Sequence, residues 1–263
     1  MRPILSVLFV ALALNSLSGR IAFFFADANA DVTGSLFGLS AIIWFALFGM
    51  LKIGLDGQRS REMDRYDWIA VWLSVIIMVI PLKILSVLAL PALALYIFWR
   101  SASGTPDQRT GILALAITGP AFWGPMTQAL LGQEITLLET KLLSLLSSLS
   151  TDGNVLHAIN GDTLVIAGAC SSFANVTLAL LLVITLWQMI GLKNDRQLAA
   201  CIACAVAAVI LINSTRLAIL GFYPQQFGFW HEGAGRIFFM WGMLAATGLI
   251  AIIGVSRAAQ RQI

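Results

Sequence analysis

Three side chains with reactive chemistry stand far apart in the sequence: Cys170, Arg216 and His231. A cysteine thiol, with a pKa of about 8.5, is mostly protonated at neutral pH, so a nucleophilic cysteine needs a nearby base or cation. An imidazole, with a pKa of about 6.5, can act as that base. A guanidinium stays charged and can hold a carbonyl oxygen, or the oxyanion that forms when a thiolate attacks it. Together these three residue types indicate acyl transfer.

The sequence around Arg216 is apolar from residue 210 to residue 220 apart from Asn213, Ser214 and Thr215. A charged side chain deep in a membrane costs about 3 kcal/mol, so it normally faces a polar cavity or a partner. Asn213 precedes Arg216 by one helical turn and shares its face of the helix. We therefore expect Asn213 to line the same cavity.

The elements that carry these residues are membrane helices. Of the 263 residues, 59% are hydrophobic and only 11% are charged, which leaves too little polar surface to cover a soluble globule. Apolar runs recur at the length that a bilayer crossing requires. We predict an all-α polytopic membrane protein with about eight transmembrane helices, near residues 2–19, 34–52, 67–81, 83–99, 111–131, 170–191, 198–220 and 236–255.

The basic residues predict the orientation of these helices. Most of the 16 Lys and Arg residues lie in loops on the side of the N-terminus, which the positive-inside rule assigns to the cytoplasm. They form short clusters between apolar runs and no basic stripe, so nucleic-acid binding is not expected. We predict a multi-pass protein of the inner (plasma) membrane with both termini inside. Cys170, Arg216 and His231 then reach one depth, facing the periplasm or exterior.

The outer connection, residues 132–169, is predicted to have structure of its own. Apolar residues recur there at helical spacing, which indicates an amphipathic helix on the membrane surface: Ile135, Leu138, Leu142, Leu145 and Leu149. Two short apolar runs, 155–159 and 163–166, flank Asn160 and Gly161, a residue pair favoured in tight hairpin turns. We predict a small β-hairpin that delivers the chain to Cys170.

The first segment has features of a signal peptide, with Ala28-Asn29-Ala30 as a candidate cleavage site. Arg20 and the run 23–25 separate the apolar stretch from that site, which is unusual for a signal peptide. We therefore favour an uncleaved first helix.

Short motifs around the three reactive residues resemble the signature of the exosortase and archaeosortase family. They occur in the family's order: Ala169-Cys170-Ser171-Ser172, Asn213-x-x-Arg216, and His231 followed by Gly235. The resemblance covers a single membrane-embedded domain, residues 1–263, and is most specific in the catalytic segment 160–240.

The resemblance implies a membrane cysteine transpeptidase with Cys170 as nucleophile, Arg216 as stabiliser of the intermediate or substrate carbonyl, and His231 as acid and base. Ser171 and Asn213 are expected to bind substrate or support the site, with no metal and no cofactor. The implied partners, besides the lipid bilayer, are secreted proteins that end in a PEP-CTERM-like sorting signal: a short motif, a membrane helix and a basic tail. The acyl group would pass to an unspecified acceptor or to water during export or surface anchoring. Ser172 stands where exosortases often have glycine, which leaves the recognised motif open.

Other residues are alternatives for the same roles or lie on the same side. His157 also lies on the predicted outer side and is an alternative base. Cys201 and Cys204 form a CxxC without histidine or acidic neighbours, which favours packing. The outer carboxylates show no spacing that pairs two of them for catalysis and are interpreted as solvated: Glu134, Glu139, Asp152 and Asp162.

Two other functions remain open from the sequence alone. A small multi-span transporter also tolerates an intramembrane arginine, although the predicted helices contain almost no acidic residues and no inverted repeat. A non-catalytic scaffold protein in polysaccharide export is the second rival.

Overall fold

The computed structural model describes residues 3–26, 36–56, 63–80, 82–193 and 195–262. This part of the chain is mostly helical, as predicted, with one small sheet. The helices are α1 (Pro3–Ala26), α2 (Ala41–Asp56), α3 (Arg65–Val79), α4 (Lys83–Arg100), α5 (Pro106–Thr118), α6 (Gly124–Ser147), α7 (Phe173–Ile190), α8 (Arg196–Phe222) and α9 (Ala234–Gln262). The strands are β1 (Thr151–Asp152), β2 (Val155–His157) and β3 (Thr163–Val165).

Four helices in the described ranges are long and apolar enough to cross a membrane: Ile4–Ala26, Phe173–Ile190, Arg196–Phe222 and Ala234–Arg261. They correspond to the first, sixth, seventh and eighth predicted spans. Ile84–Arg100 is a shorter apolar helix. The other predicted spans fall on α2, on α3 and on the α5–α6 segment. The candidate cleavage site at residues 28–30 lies outside the described residues.

The second predicted span starts later in the structure than the sequence indicated. Residues Leu36 and Leu39 pair across a tight turn, and helix α2 begins only at Ala41. Phe37 and Gly38 have positive φ values of 54° and 75° in this turn. A Cβ atom on Gly38 would lie 2.7 Å from the carbonyl oxygen of Arg20, so the turn packs tightly against α1.

The fifth predicted span, 111–131, is interrupted. Helix α5 ends at Thr118, a π-helical turn occupies Gly119–Trp123, and α6 follows. Pro120 and Pro125 lack the N–H groups that a regular α-helix needs here, so the hydrogen-bond pattern must change. A second irregularity lies at Leu131, where φ is −124°.

The predicted amphipathic helix is the second half of α6 and not a separate element. Within the helix its apolar stripe faces outward, since Leu138 is 67% exposed and Leu145 83% exposed. The prediction was wrong for Leu149, which lies beyond the end of α6 at Ser147 and is buried. The face that packs against the protein carries Thr136, Thr140 and Leu143, which are buried. An outward apolar face is what contact with lipid requires, because lipid replaces water as the solvent of that face.

Helix α7 is central to the packing and contacts α2, α5, α8 and α9. One buried apolar core fills the space between α1, α2, α4, α5 and α7, with Phe9, Met50 and Leu113 among its fully buried side chains. A second core joins α7 to α8 and α9 around Trp187, which is also fully buried. Helix α7 is therefore packed against a buried apolar core on two sides.

The predicted hairpin is present, as β2 and β3, and β1 adds a third antiparallel strand. Gly161 in its turn has a φ of +89°. Strands this short are only marginally stable alone. Here they pack on the end of α8 through a small apolar core that includes Leu156, Ile166, Leu217 and Leu220. This packing fixes the segment that leads into Cys170.

Candidate active site

Cys170 ends a 3₁₀ turn, Gly168–Cys170, and two residues separate it from the start of helix α7 at Phe173. Its backbone N–H donates to the carbonyl oxygen of Ala167 at 2.8 Å, and the N–H of Ser171 donates to that of Gly168 at 3.2 Å. The turn therefore has a defined backbone conformation. The thiol is half-buried and free of disulfide bonding.

His231 reaches Cys170 from the connection between α8 and α9. Its Nε2 atom lies 3.7 Å from the Cys170 sulfur. The imidazole stacks on the ring of Phe227, with centroids 4.5 Å apart and 15° between the planes. A π-helical turn, Gly228–Glu232, carries the residue. The structure thus brings together two of the three predicted reactive residues at hydrogen-bonding distance for sulfur.

Gly235 explains why helix α9 can start so close to this turn. A Cβ atom at position 235 would lie 2.4 Å from Cε3 and 2.8 Å from Cα of Trp230. Only glycine leaves the space that this approach needs, because a real Cβ atom does not come within 3 Å of a neighbouring heavy atom.

The surroundings of His231 favour its neutral form. Burial lowers the pKa of His231, and the positive charges of Arg216 and then Arg236 lower it further. Glu232 opposes this effect, with its Oε1 atom 4.0 Å from His231 Nδ1. A neutral imidazole can accept the proton of a thiol, which suits a general base.

Arg216 and Asn213 lie on one face of α8, near the end that approaches Cys170. Asn213 is buried, and its Nδ2 donates to the carbonyl oxygen of Cys170 at 2.9 Å. Arg216 is half-buried, and its charge interacts with both the Cys170 thiol and His231. The third predicted residue therefore also belongs to this cluster.

Buried polar atoms without a hydrogen-bond partner concentrate at this cluster. The described part of the chain has four such side-chain atoms: Ser101 Oγ, Asn213 Oδ1, Arg216 Nε and His231 Nδ1. Buried polar groups in folded proteins are nearly always satisfied, so three exceptions in one place need a reason. These three atoms leave the cluster able to bind a polar group.

The backbone amides beside the thiol are already engaged. The N–H groups of Cys170 and Ser171 donate within the turn, that of Ser172 donates to Glu139, and that of Phe173 donates to Ser171 Oγ. None of these four is available for an oxyanion. Arg216 Nε, in contrast, is a buried side-chain donor of this cluster without a hydrogen-bond partner.

The interpretation of Glu139 as a solvated carboxylate is wrong. Its carboxylate accepts hydrogen bonds from the hydroxyls of Ser171 and Ser172 and from the Ser172 backbone N–H. Ser171 and Ser172 are themselves buried. Thr136, Thr140 and Leu143 share this face of α6 and are buried, while Glu139 is half-buried.

The remaining candidates lie elsewhere in the chain. His157 ends strand β2, where its backbone N–H donates to the carbonyl oxygen of Ser150. Cys201 is buried near the opposite end of α8 and donates to the carbonyl oxygen of Ile250 at 3.6 Å, while Cys204 is exposed. Within the described ranges, no three His, Cys, Asp or Glu residues are grouped so that they could hold a metal ion.

The fold and the site together define a polytopic helical membrane protein with a cysteine and a histidine paired beside a half-buried arginine. A sequence profile of the transmembrane exosortase family matches residues 3–248, and the chain belongs to that family. No curated protein and no solved structure matches the chain. The matched range includes every residue of the cluster around Cys170.

Proposed function

We propose that this protein is a membrane cysteine protease or transpeptidase that cleaves the C-terminal sorting signal of secreted proteins through a thioester on Cys170. The observation that carries the proposal is the 3.7 Å pair of Cys170 Sγ and His231 Nε2 beside the unpartnered Nε of Arg216. A nucleophile, a base and an oxyanion donor are the three parts that acyl transfer needs.

The reaction follows from these three groups. His231 Nε2 takes the proton of the thiol, and the sulfur attacks the carbonyl carbon of the scissile peptide bond. Arg216 Nε donates to the oxyanion of the tetrahedral intermediate. The imidazolium returns the proton to the leaving amine as the C–N bond breaks and the thioester forms. An acceptor nucleophile, or water, loses a proton to His231 and then attacks the thioester, which releases Cys170.

A groove beside α7, α8 and α9 offers a place for the membrane helix of the substrate. It has a volume of about 310 Å³, and its lining includes Leu178, Val209, Met243 and Thr247. Val209 precedes Asn213 by four residues, which places it on the face of α8 that carries Arg216. We propose that a substrate helix enters laterally along this groove, whose lining also includes Asn175, five residues after Cys170.

The extended segment before that helix has a candidate partner in strand β3. Alternate residue pairs of β2 and β3 are hydrogen-bonded, because Ile166 N donates to Asn154 O and Ala158 N donates to Asp162 O. The amides of Thr163 and Val165 then point to the outer edge of the sheet. We propose that the substrate adds a strand there, five residues before Cys170.

The proposed function also requires that the site lie on the outer side of the membrane. We infer eight membrane crossings with both termini inside, so that the site faces the periplasm or exterior of the inner (plasma) membrane. Basic loops on the N-terminal side of the membrane support this orientation. An outward-facing site meets substrates after their export.

Replacing the nucleophile tests this function. A strain carrying Cys170→Ala, with normal amounts of the protein, is expected to accumulate unprocessed substrate. The substrates to follow are proteins of the same genome that share a short motif, an apolar helix and a basic tail at the C-terminus. Cys204→Ala, an exposed cysteine near the other end of α8, is the matched control. Normal processing in the Cys170→Ala strain would reject the proposal.

A further inference from the structure

We propose that Glu139 is the positioning residue of the Cys170 nucleophile: it holds the turn after Cys170 against helix α6, so that the sulfur faces His231. This inference rests on the proposed function. It assigns a role in the site to a helix that carries none of Cys170, Arg216 and His231.

The carboxylate of Glu139 binds two consecutive residues directly after the nucleophile. It accepts from Ser171 Oγ at 2.9 Å, from Ser172 Oγ at 2.6 Å and from Ser172 N at 3.0 Å, all at Oε1. Its Oε2 atom lies 3.2 Å from the same Ser172 N. Hydrogen bonds to an ionised acceptor are about twice as strong as bonds between neutral groups. One side chain therefore fixes both residues.

The contact also completes the start of helix α7. The residue before the helix, Ser172, makes no side-chain capping bond to the helix backbone. Glu139 replaces that cap from another helix, and its negative charge lies at the positive end of the α7 dipole. Ser171 extends the contact, because its hydroxyl donates to Glu139 and accepts from Phe173 N at 3.1 Å.

A second helix holds the same turn from the other side. Asn213 on α8 donates to the Cys170 carbonyl oxygen at 2.9 Å. The turn is thus held between α6, through Glu139, and α8, through Asn213. His231 lies in the connection that follows α8, nine residues after Phe222, and it meets the sulfur of Cys170. The contact with Glu139 therefore helps to set the distance between Sγ and Nε2.

Loss of the carboxylate leaves the turn without a substitute. Ser171 is 6% exposed and Ser172 is 2% exposed, so water cannot readily replace the lost acceptor. Buried donors left unpaired are unfavourable, and the turn is expected to shift until they find partners. A displacement of about 1 Å at a reacting atom can reduce a rate by about 100-fold.

The test compares Glu139→Ala with Glu134→Ala, both in the full-length protein with Cys201→Ala and Cys204→Ala so that Cys170 is the single thiol. Glu134 is an exposed carboxylate on the same helix. Two properties are measured per folded molecule: the rate of Cys170 alkylation by iodoacetamide, and kcat and KM for a processed substrate.

We expect Glu139→Ala to lower kcat at least tenfold, to leave KM within about threefold and to change the alkylation rate at least threefold. Glu134→Ala should leave all three values within about twofold. A purely structural cap predicts a different result, in which Glu139→Ala lowers the thermal stability but leaves kcat and alkylation unchanged per folded molecule. That result would overturn the proposal.

A second variant tests the positioning role of Glu139 if the Glu139→Ala protein does not accumulate. Ser171→Ala combined with Ser172→Ala removes the two hydroxyl contacts and keeps the Ser172 N–H contact. We expect it to lower kcat at least fivefold and to alter Cys170 alkylation, and unchanged values of both would refute the role of Glu139. The alkylation readout needs no substrate, so it still tests the positioning role if Cys170→Ala shows that the proposed function is wrong.

Discussion

At the scale of single residues, the pKa of His231 sets the pH range in which the site can work. Burial and the charges of Arg216 and Arg236 lower this pKa, and Glu232 raises it. The imidazole of His231 therefore stays neutral at pH values somewhat below the usual histidine pKa of about 6.5. It becomes protonated, and can no longer act as a base, as the pH falls through the lowered pKa. We expect the acid limb of the kcat/KM profile to have its midpoint below pH ~6.5.

Two neighbours allow the sign of this effect to be checked. Arg236→Gln removes a positive charge that lowers the pKa of His231, so the acid limb should move to higher pH. Glu232→Gln removes the opposing negative charge, so the limb should move to lower pH. A shift of both variants in the same direction would contradict the assignment of His231 as the titrating base.

The sequence was sufficient to select three residues that lie together in the structure, but not the contacts that hold them there. Cys170, Arg216 and His231 stand out because their chemistry is unusual in an apolar chain, and the structure brings them together. Glu139 was missed because a carboxylate beside a leucine stripe looks solvated. In this structure the stripe faces outward and the polar face packs inward, which reverses the expectation for a protein in water.

At the scale of secondary-structure elements, the close contact between α9 and the turn that carries His231 is the most sensitive feature. Gly235→Ala would place a Cβ atom 2.4 Å from Trp230, so either the turn or the helix has to move. Excess volume in a packed contact costs about 1–3 kcal/mol, and here the cost falls on the turn that places His231. We therefore expect kcat in assays of substrate processing to fall about 5- to 150-fold.

A glycine on the same helix provides the control. Gly242 has open space where its Cβ would lie, so Gly242→Ala should leave kcat within about twofold. Equal activity of the two alanine variants would show that the approach of α9 to Trp230 does not position His231.

The outer edge of β3 makes a separate prediction. Val165 is 65% exposed and its amide points away from β2, so Val165→Pro removes an edge donor and keeps the ladder. We expect KM to rise at least tenfold with little change in thermal stability. Leu164→Pro interrupts the ladder itself and should destabilise the fold. An unchanged KM in Val165→Pro would exclude strand addition at this edge.

The elements themselves were predictable to different degrees. Asn160 and Gly161 revealed the hairpin, because that pair specifies a tight turn regardless of its surroundings. The interruption of the fifth span was missed, because hydropathy does not report the π-helical turn at Gly119–Trp123. Strand β1 has only two residues, too few to give a periodic signal.

At the scale of the whole molecule, the inferred orientation places the sheet outside and the α7–α8 connection inside. In a chain without its native cysteines, Asp152→Cys should react with a membrane-impermeant maleimide in cells whose inner membrane is intact. Lys193→Cys should react only after permeabilisation. Both positions are exposed in the structure, so labelling reports the side of the membrane. The opposite pattern would invert the orientation and exclude a site that faces outward.

The most direct measurement looks for the acyl group on the nucleophile. Purified protein is mixed with a substrate that carries the sorting signal, quenched in acid and digested for mass spectrometry. We predict an adduct of the N-terminal substrate fragment on Cys170 that neutral hydroxylamine removes, as expected for a thioester, and that is absent from Cys170→Ala. Cleavage of the substrate by Cys170→Ala, or an adduct on any other residue, would contradict a cysteine-dependent acyl transfer at this site.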